Sequence, residues 1–438
     1  MQGRRAYRGL SEIPGPVDLV VIAVPPQEVP KAIQEYANKS VKVAIVITAG
    51  FRETGHAGAE LESDILRIAK DGGVRVVGPN CMRHFNTAID LFTLNEWGIS
   101  PGPLALISQS GNFGSYILQY AVDRGAGFSK YVSSGNEADL TIEDYLEYLS
   151  QDEETRVICA YIESLKDGKR FLDIAQRTSK RKPIVVIKTG RSAEGARAAL
   201  SHTGALCGSD AIHDAAFHQS GVIRVDEAEH LIDVALALIR QPLPRGRRVG
   251  IVTVGGGFGA VVADACRFYG LEVPPLTEET IQTLDKYLPP RWSHSNPVDM
   301  AGVYETSYAC IGSMLKADYI DTVLRVGSIG YPTQLDNDSA TSVDERLQEY
   351  INRMVEGELQ LVEGLVERID RYQKPVIITA PVGRGKSPAI AKLEEKGIYW
   401  YRTPEAGVRV IAHLAKYAEY LGVEYLGVAR PAVGNFPI

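Results

Sequence analysis

Short apolar runs alternate with amphipathic stretches along most of this chain. "VDLVVIAV" at 17–24 precedes "PPQEVPKAIQEYANK", and "VKVAIVITAG" at 41–50 precedes "AGAELESDILRIAKDGG". "VRVVGPN" at 74–80 closes this first series. Unbroken β-branched runs read as strands buried on both faces, and their alternation with helices predicts parallel, doubly wound sheets. A second series runs through "PLALISQSG" (103–111), "SKYVSSGNEAD" (129–139), "RVICAYIES" (156–164) and "KPIVVIKTG" (182–190). The stretch "IRQPLPRGRR" (239–248), rich in proline and charge, reads as a linker. A third series follows with "VGIVTVGGGFGAVVADACRFYG" (249–270), "YIDTVLRVGSIG" (319–330) and "KPVIITAPVG" (374–383). Between its last two strands, residues 344–373 are charged and helical in period. The pattern predicts an α/β protein of three tandem doubly wound domains, at 1–96, 97–242 and 243–438. The first is irregular: it lacks the opening strand and Gly-rich turn of a nucleotide-binding unit.

Composition narrows the function classes. A length of 438 residues exceeds one comfortable core and favours several domains. A net charge of −7 and a pI near 5.7 argue against nucleic acid or an anionic membrane surface as partner. The first ten residues hold no apolar h-region, and no run approaches the roughly 18 apolar residues of a membrane span. Five scattered cysteines without a CxxC pair predict reduced thiols, no metal site and a cytoplasmic location.

Several positions carry candidate chemistry. In "LISQSGNFGSYILQ", a strand gives way at Ser110, Gly111 and Asn112 to a helix. Free N–H groups at a helix start, with glycine permitting close approach, make an anion site. Ordinary N-capping by serine and asparagine explains the same residues. A nucleophile elbow is excluded, because Ser108 and Asn112 occupy the two glycine positions of G-x-S-x-G around Ser110. "YVSSGNEAD" is a similar strand-to-helix turn. "VGGGFG" at 254–259 lacks the acidic partner of a dinucleotide fingerprint and reads as tight strand–helix packing. Glu163 ends an apolar strand, where ligands bind in open α/β sheets, although a capping glutamate fits equally. His202 lies in "RAALSHTGALCGSD", between two expected helices and among small and hydroxylated residues. A carboxylate such as Glu163 could fix its tautomer and free the other nitrogen as nucleophile or base. Cys81 follows a Gly-Pro turn and could line a thiol pocket or be a buried, inert thiol.

Together "SEIPGPVDLVVIAVP", "VITAGFRETG", "VVGPNCM", "LISQSGNFG", "SSGNEAD", "YIESLKDGKRF", "KTGRSAEGARAALSHTGALCGSD" and "NPVDM" resemble the alpha part of the NDP-forming acyl-CoA synthetases, relatives of succinyl-CoA synthetase. The resemblance runs from about residue 7 to the C-terminus. It implies an N-terminally incomplete Rossmann-like CoA-binding domain followed by two flavodoxin-like ligase domains. It implies that His202 is phosphorylated and carried between two sites, that Glu163 steadies it, and that the Ser110–Gly111–Asn112 turn holds the phosphoryl group. Coenzyme A would lie along Val24, Pro25, Ile47, Thr48, Gly50, Asn80 and Cys81. Arg83 departs from the family pattern, which has glycine there. No ATP-grasp region is visible in these residues, so the resemblance implies a separate ATP-grasp beta subunit in a hetero-oligomer, with Mg2+ and ADP or ATP bound on that partner. The expected reaction converts acyl-CoA, ADP and phosphate reversibly to a small carboxylic acid, CoA and ATP. The alternative is a non-catalytic CoA- or acyl-CoA-binding regulatory module of the same fold.

Overall fold

The computed structural model describes residues 5–94, 98–203, 208–327, 329–330, 333, 345–381 and 387–422, with the side chains of 199–203 outside that set. Three sheets follow one another along the chain. The first joins β1 (Leu19–Ile22), β2 (Val43–Val46) and β3 (Arg75–Val77), all parallel, in the order β1-β2-β3. The helices Val29–Asn38 and His56–Asp71 cover one face, burying Val29, Ile33 and Ile65 with Ile22, Ala44, Val46 and Val76. The other face, at Ile45, Val77 and Cys81, packs against Leu140 and Tyr145 of the next sheet's layer. Asp139 also closes the β3 edge, accepting the Val76 N–H at 2.8 Å and a two-pronged bond from Arg75.

The second sheet contains β4 (His84–Asn86), β5 (Leu91–Phe92), β6 (Pro101–Ser108), β7 (Phe128–Ser133), β8 (Val157–Ile162), β9 (Ile184–Lys188) and β10 (Ile223–Val225). Its order is β10-β9-β8-β6-β7-β4-β5. The five strands from β6 to β10 are parallel and follow a flavodoxin-like winding. Residues 84–92, counted with the first domain by sequence pattern, add two antiparallel strands at the far edge. The third sheet repeats the winding with β11 (Val249–Thr253), β12 (Val298–Asp299), β13 (Thr322–Val326), β14 (Val376–Thr379) and β15 (Trp400–Tyr401), in the order β12-β11-β13-β14-β15. The charged stretch before β14 is the 28-residue helix Glu345–Tyr372. Its apolar face, at Leu361, Val362, Leu365 and Ile369, joins the core of that sheet. A Cβ on Gly259, in the "VGGGFG" turn, would lie 3.0 Å from Pro297 Cβ, so that glycine serves close packing of helix on strand.

Two compact units result. Residues up to Val122, with Ala126–Ile232, form one and hold the first two sheets. Asp123–Gly125 and the chain from Asp233 onward form the other. The division falls inside the helix Ala228–Arg240, upstream of the stretch 239–248 that reads as a linker. The first two sheets share a unit because Leu140 and Tyr145 seal an apolar face that the first sheet cannot cover itself. Among the described residues no helix is long and apolar enough to cross a membrane.

Candidate functional site

The carboxyl ends of β1, β2 and β3 meet at one end of the first sheet. Thr48 Oγ1 donates to the Val24 carbonyl at 2.7 Å, and the Asn80 N–H donates to the Thr48 carbonyl at 3.0 Å. Val24, Pro25, Ile47, Thr48, Gly50 and Asn80 thus form one loop cluster, at the strand ends where open α/β sheets take ligands. Gly50 has φ +108°, and a Cβ there would lie 3.0 Å from the Pro26 ring, so both conformation and space demand glycine. Asn80 adopts a left-handed φ of +56°, which asparagine tolerates. Cys81 turns inward: its thiol donates to the Val46 carbonyl at 3.2 Å, and burial pushes it up to about 12. It is a packed thiol, not a reactive thiolate.

A second cluster gathers at the carboxyl ends of the second sheet. The winding reverses between β6 and β8, which pair level with each other, Ser108 opposite Tyr161. The Ser110 turn follows β6 and Glu163 follows β8, so both flank the switch-point crevice. Ser110 caps the helix Gly111–Asp123, its Oγ accepting the Phe113 N–H at 3.3 Å. Gly111 and Asn112 begin that helix, and their N–H groups have no intrahelical acceptor by position. Gln109, not singled out by sequence pattern, ties the two sides. Its Oε1 accepts the N–H groups of Glu163 at 2.5 Å and Ser164 at 2.9 Å, and its Nε2 donates to the Ser164 carbonyl at 2.8 Å. Lys188, at the end of β9, donates from Nζ to the Glu163 carbonyl at 2.8 Å. Glu163 itself is 4 % exposed.

The "SSGNEAD" turn after β7 connects the two clusters. Ser133 Oγ accepts the Met82 N–H at 3.1 Å, and the Ser134 N–H donates to the Ser108 carbonyl at 2.8 Å. His84 Nε2 donates to the Ser133 carbonyl at 2.8 Å, and burial pulls its ring down to about 4, so it is neutral. Gly135, with φ +60°, is pressed so closely on the Gly-Pro-Asn loop that a Cβ would come 2.3 Å from the Pro79 carbonyl oxygen. Position 202 lies in the last turn of the helix Ala193–Thr203, further into helix than its sequence surroundings suggest. Ala196, Ala198 and Ala199, strong helix formers, account for the extension. The side chain of His202 lies outside the described residues. Among the described residues no cluster of His, Cys, Asp and Glu could hold a metal ion.

Comparison with known proteins bears on what these clusters serve. A family described as CoA binding domain matches residues 1–86, and the succinyl-CoA ligase like flavodoxin domain matches residues 101–238. The alpha subunit of acetate–CoA ligase [ADP-forming] II from Pyrococcus furiosus is 36% identical over 426 residues, covering 96% of this chain and 88% of that one. The chain belongs to the ADP-forming acetate–CoA ligase family. Another member, acetate–CoA ligase [ADP-forming] from Methanocaldococcus jannaschii, is 37% identical over 95% of this chain, which spans 56% of that longer protein. The dinucleotide-forming acetyl-coenzyme A synthetase 1 of Ca. Korarchaeum cryptofilum, solved with phosphate and ADP, superposes with a TM-score of 0.82 at 33% identity, over 98% of this chain and 89% of its own. Within this ligase family the first loop cluster falls in the CoA-binding match and the second in the ligase-domain match.

Proposed function

We propose that this chain is the alpha subunit of an ADP-forming acyl-CoA synthetase working through a phosphohistidine at His202. The observation that carries the reading is the pairing of the Ser110–Asn112 helix start with Glu163 across the switch point, tied by Gln109, beside the loops at Gly50 and Asn80. An oxygen of inorganic phosphate attacks the thioester carbonyl; the C–S bond breaks, the thiolate leaves and is protonated to CoA. An imidazole nitrogen of His202 then attacks phosphorus in the acyl phosphate, releasing the carboxylate. Finally a β-phosphate oxygen of ADP takes the phosphoryl group, the N–P bond breaks, and ATP forms. N–H groups of Gly111 and Asn112 stabilise charge on the phosphoryl oxygens, and Glu163 steadies the imidazolium. Val24, Pro25, Ile47, Thr48, Gly50, Asn80 and the Cys81 backbone hold CoA. The partner is an ATP-grasp beta subunit carrying ADP and Mg2+, in a hetero-oligomer working in the cytoplasm. The alpha-subunit names of the relatives support a separate partner subunit. Acetate is the first acid to try, after the relatives' names.

Incubating the chain with acetyl-CoA and labelled phosphate tests this. Acid-labile, base-stable label should appear on wild type and vanish in His202→Ala, while Glu163→Gln should form it at least tenfold more slowly, for want of the counter-charge. Label that persists in His202→Ala contradicts the assignment.

A further inference from the structure

Asn136 sits in the turn after β7, is 2 % exposed, and spends its polar groups on the first sheet. Its Nδ2 donates to Glu53 Oε2 at 2.6 Å and to Glu62 Oε2 at 2.9 Å, and its Oδ1 accepts from Asn80 Nδ2 at 3.3 Å. Its N–H donates to the Pro79 carbonyl at 2.9 Å, and its own carbonyl accepts from the Arg52 guanidinium. A carboxamide has two N–H donors, and both are used here. Glu53 carries the connection one step further, because its Oε1 accepts the N–H groups of Gly50 at 2.6 Å and Phe51 at 3.1 Å. Burial pushes the Glu53 carboxyl up, but the bonds from Asn136, Gly50 and Phe51 outweigh it and hold the carboxyl below its ordinary value. Glu53 is thus an anion that grips the Gly50 loop with one oxygen and Asn136 with the other.

We infer that Asn136 is a positioning residue for coenzyme A: buried and out of contact with the ligand, it holds the Gly50 loop through Glu53 and the Asn80 loop directly. The inference rests on those two loops being the ones that bind CoA. The amide is chemically required. Glu53 and Glu62 converge on a single NH2 group, with the Arg52 guanidinium 3.6 Å from Glu62 and the Lys166 ammonium close enough to feel the charge of Glu62. An aspartate at 136 would lose both donors and set a third carboxylate between the two.

Calorimetric titration of the full chain with CoA, backed by KM values of the enzyme assembled with its partner, tests the inference. Asn136→Ala should weaken CoA binding about tenfold, the usual scale of one or two lost charge-assisted hydrogen bonds, and Asn136→Asp about a hundredfold. Adding Glu53→Gln to Asn136→Asp should recover most of the loss. The glutamine keeps an acceptor for Gly50 and Phe51 and turns a donor towards the new carboxylate. KM for CoA should rise in step while KM for ADP stays within twofold, a split that general loosening of the fold would not give. Should Asn136→Ala fail to fold, Asn136→Ser, which keeps a donor, carries the same comparison. Wild type that binds CoA beside variants that bind equally well overturns the inference. Wild type that binds no CoA overturns the assignment of the loops themselves.

Discussion

Glu137 shows how burial sets a charge state within the candidate site. Its carboxyl is pushed up to about 7 by burial and by Glu143, against hydrogen bonds from Ser134, whose Oγ donates at 2.7 Å, and from Gln109. Tyr145 lies near enough to feel the Glu137 charge, and its own hydroxyl is raised by burial and by Glu137. The folded chain therefore binds more protons at Glu137 than the unfolded chain does, between the ordinary carboxylate value and about 7. Stability from this residue is complete at low pH and is lost as pH rises through 7. Glu137→Gln removes the ionisation. In urea denaturation the variant should match wild type near pH 4, below the ordinary carboxylate value, and be more stable at pH 8, by up to about 3 kcal/mol. Parallel pH dependence in the two proteins would show that Glu137 does not titrate there. Gln109, Asn136 and Glu137 all fall inside stretches that the sequence marks as strand-to-helix turns, yet nothing in the sequence distinguishes them. Partners lie 54 and 55 residues away for Gln109 and up to 84 for Asn136, distances that only the fold converts into contacts.

The helix Gly111–Asp123 is the element that aims the candidate phosphate turn, and it lies flat on β6 and β7 because Gly114 has no side chain. A Cβ there would sit 2.2 Å from Tyr131 Oη and 2.8 Å from Ser108 Cβ. Gly114→Ala should lift the helix, cost about 1–3 kcal/mol of stability and raise KM for phosphate several-fold. Gly168→Ala is the control, since a Cβ at Gly168 meets nothing within 4 Å; it should leave both unchanged or stabilise slightly, by about 0.5 kcal/mol. An unchanged KM in a folded Gly114→Ala would separate helix placement from phosphate binding. Elements of this sort were legible beforehand. The β-branched runs at 41–50, 103–108 and 156–162 became largely buried parallel strands, as apolar runs covered on both faces do, whereas the run at 17–24 became a parallel edge strand with Val21 41 % exposed. The two short antiparallel strands His84–Asn86 and Leu91–Phe92 were not, being two or three residues long, partly polar, and set by pairing with β7. Serine, glycine and asparagine at 110–112 were visible as a helix start, whereas the crevice they flank depends on β8 lying beside β6, which is topology.

At the scale of the whole molecule, two sheets with the same winding and a smaller sheet sealed against the first of them fall into two compact units. The pattern of runs foretold three sheets, but not that the first would share a unit with the second, because Leu140 and Tyr145 gave no sign of the face they cover. In the proposed function this chain supplies CoA binding and phosphoryl capture while another subunit supplies the nucleotide. The direct test is ATP formation from acetyl-CoA, ADP and phosphate, measured for the chain alone, for the chain co-expressed with an ATP-grasp subunit, and for His202→Ala in the same complex. ATP should form with the wild-type complex and not with the chain alone, and His202→Ala should lose at least a thousandfold, the scale on which removing a covalent nucleophile acts. ATP made at wild-type rates by the His202→Ala complex would contradict the proposed function.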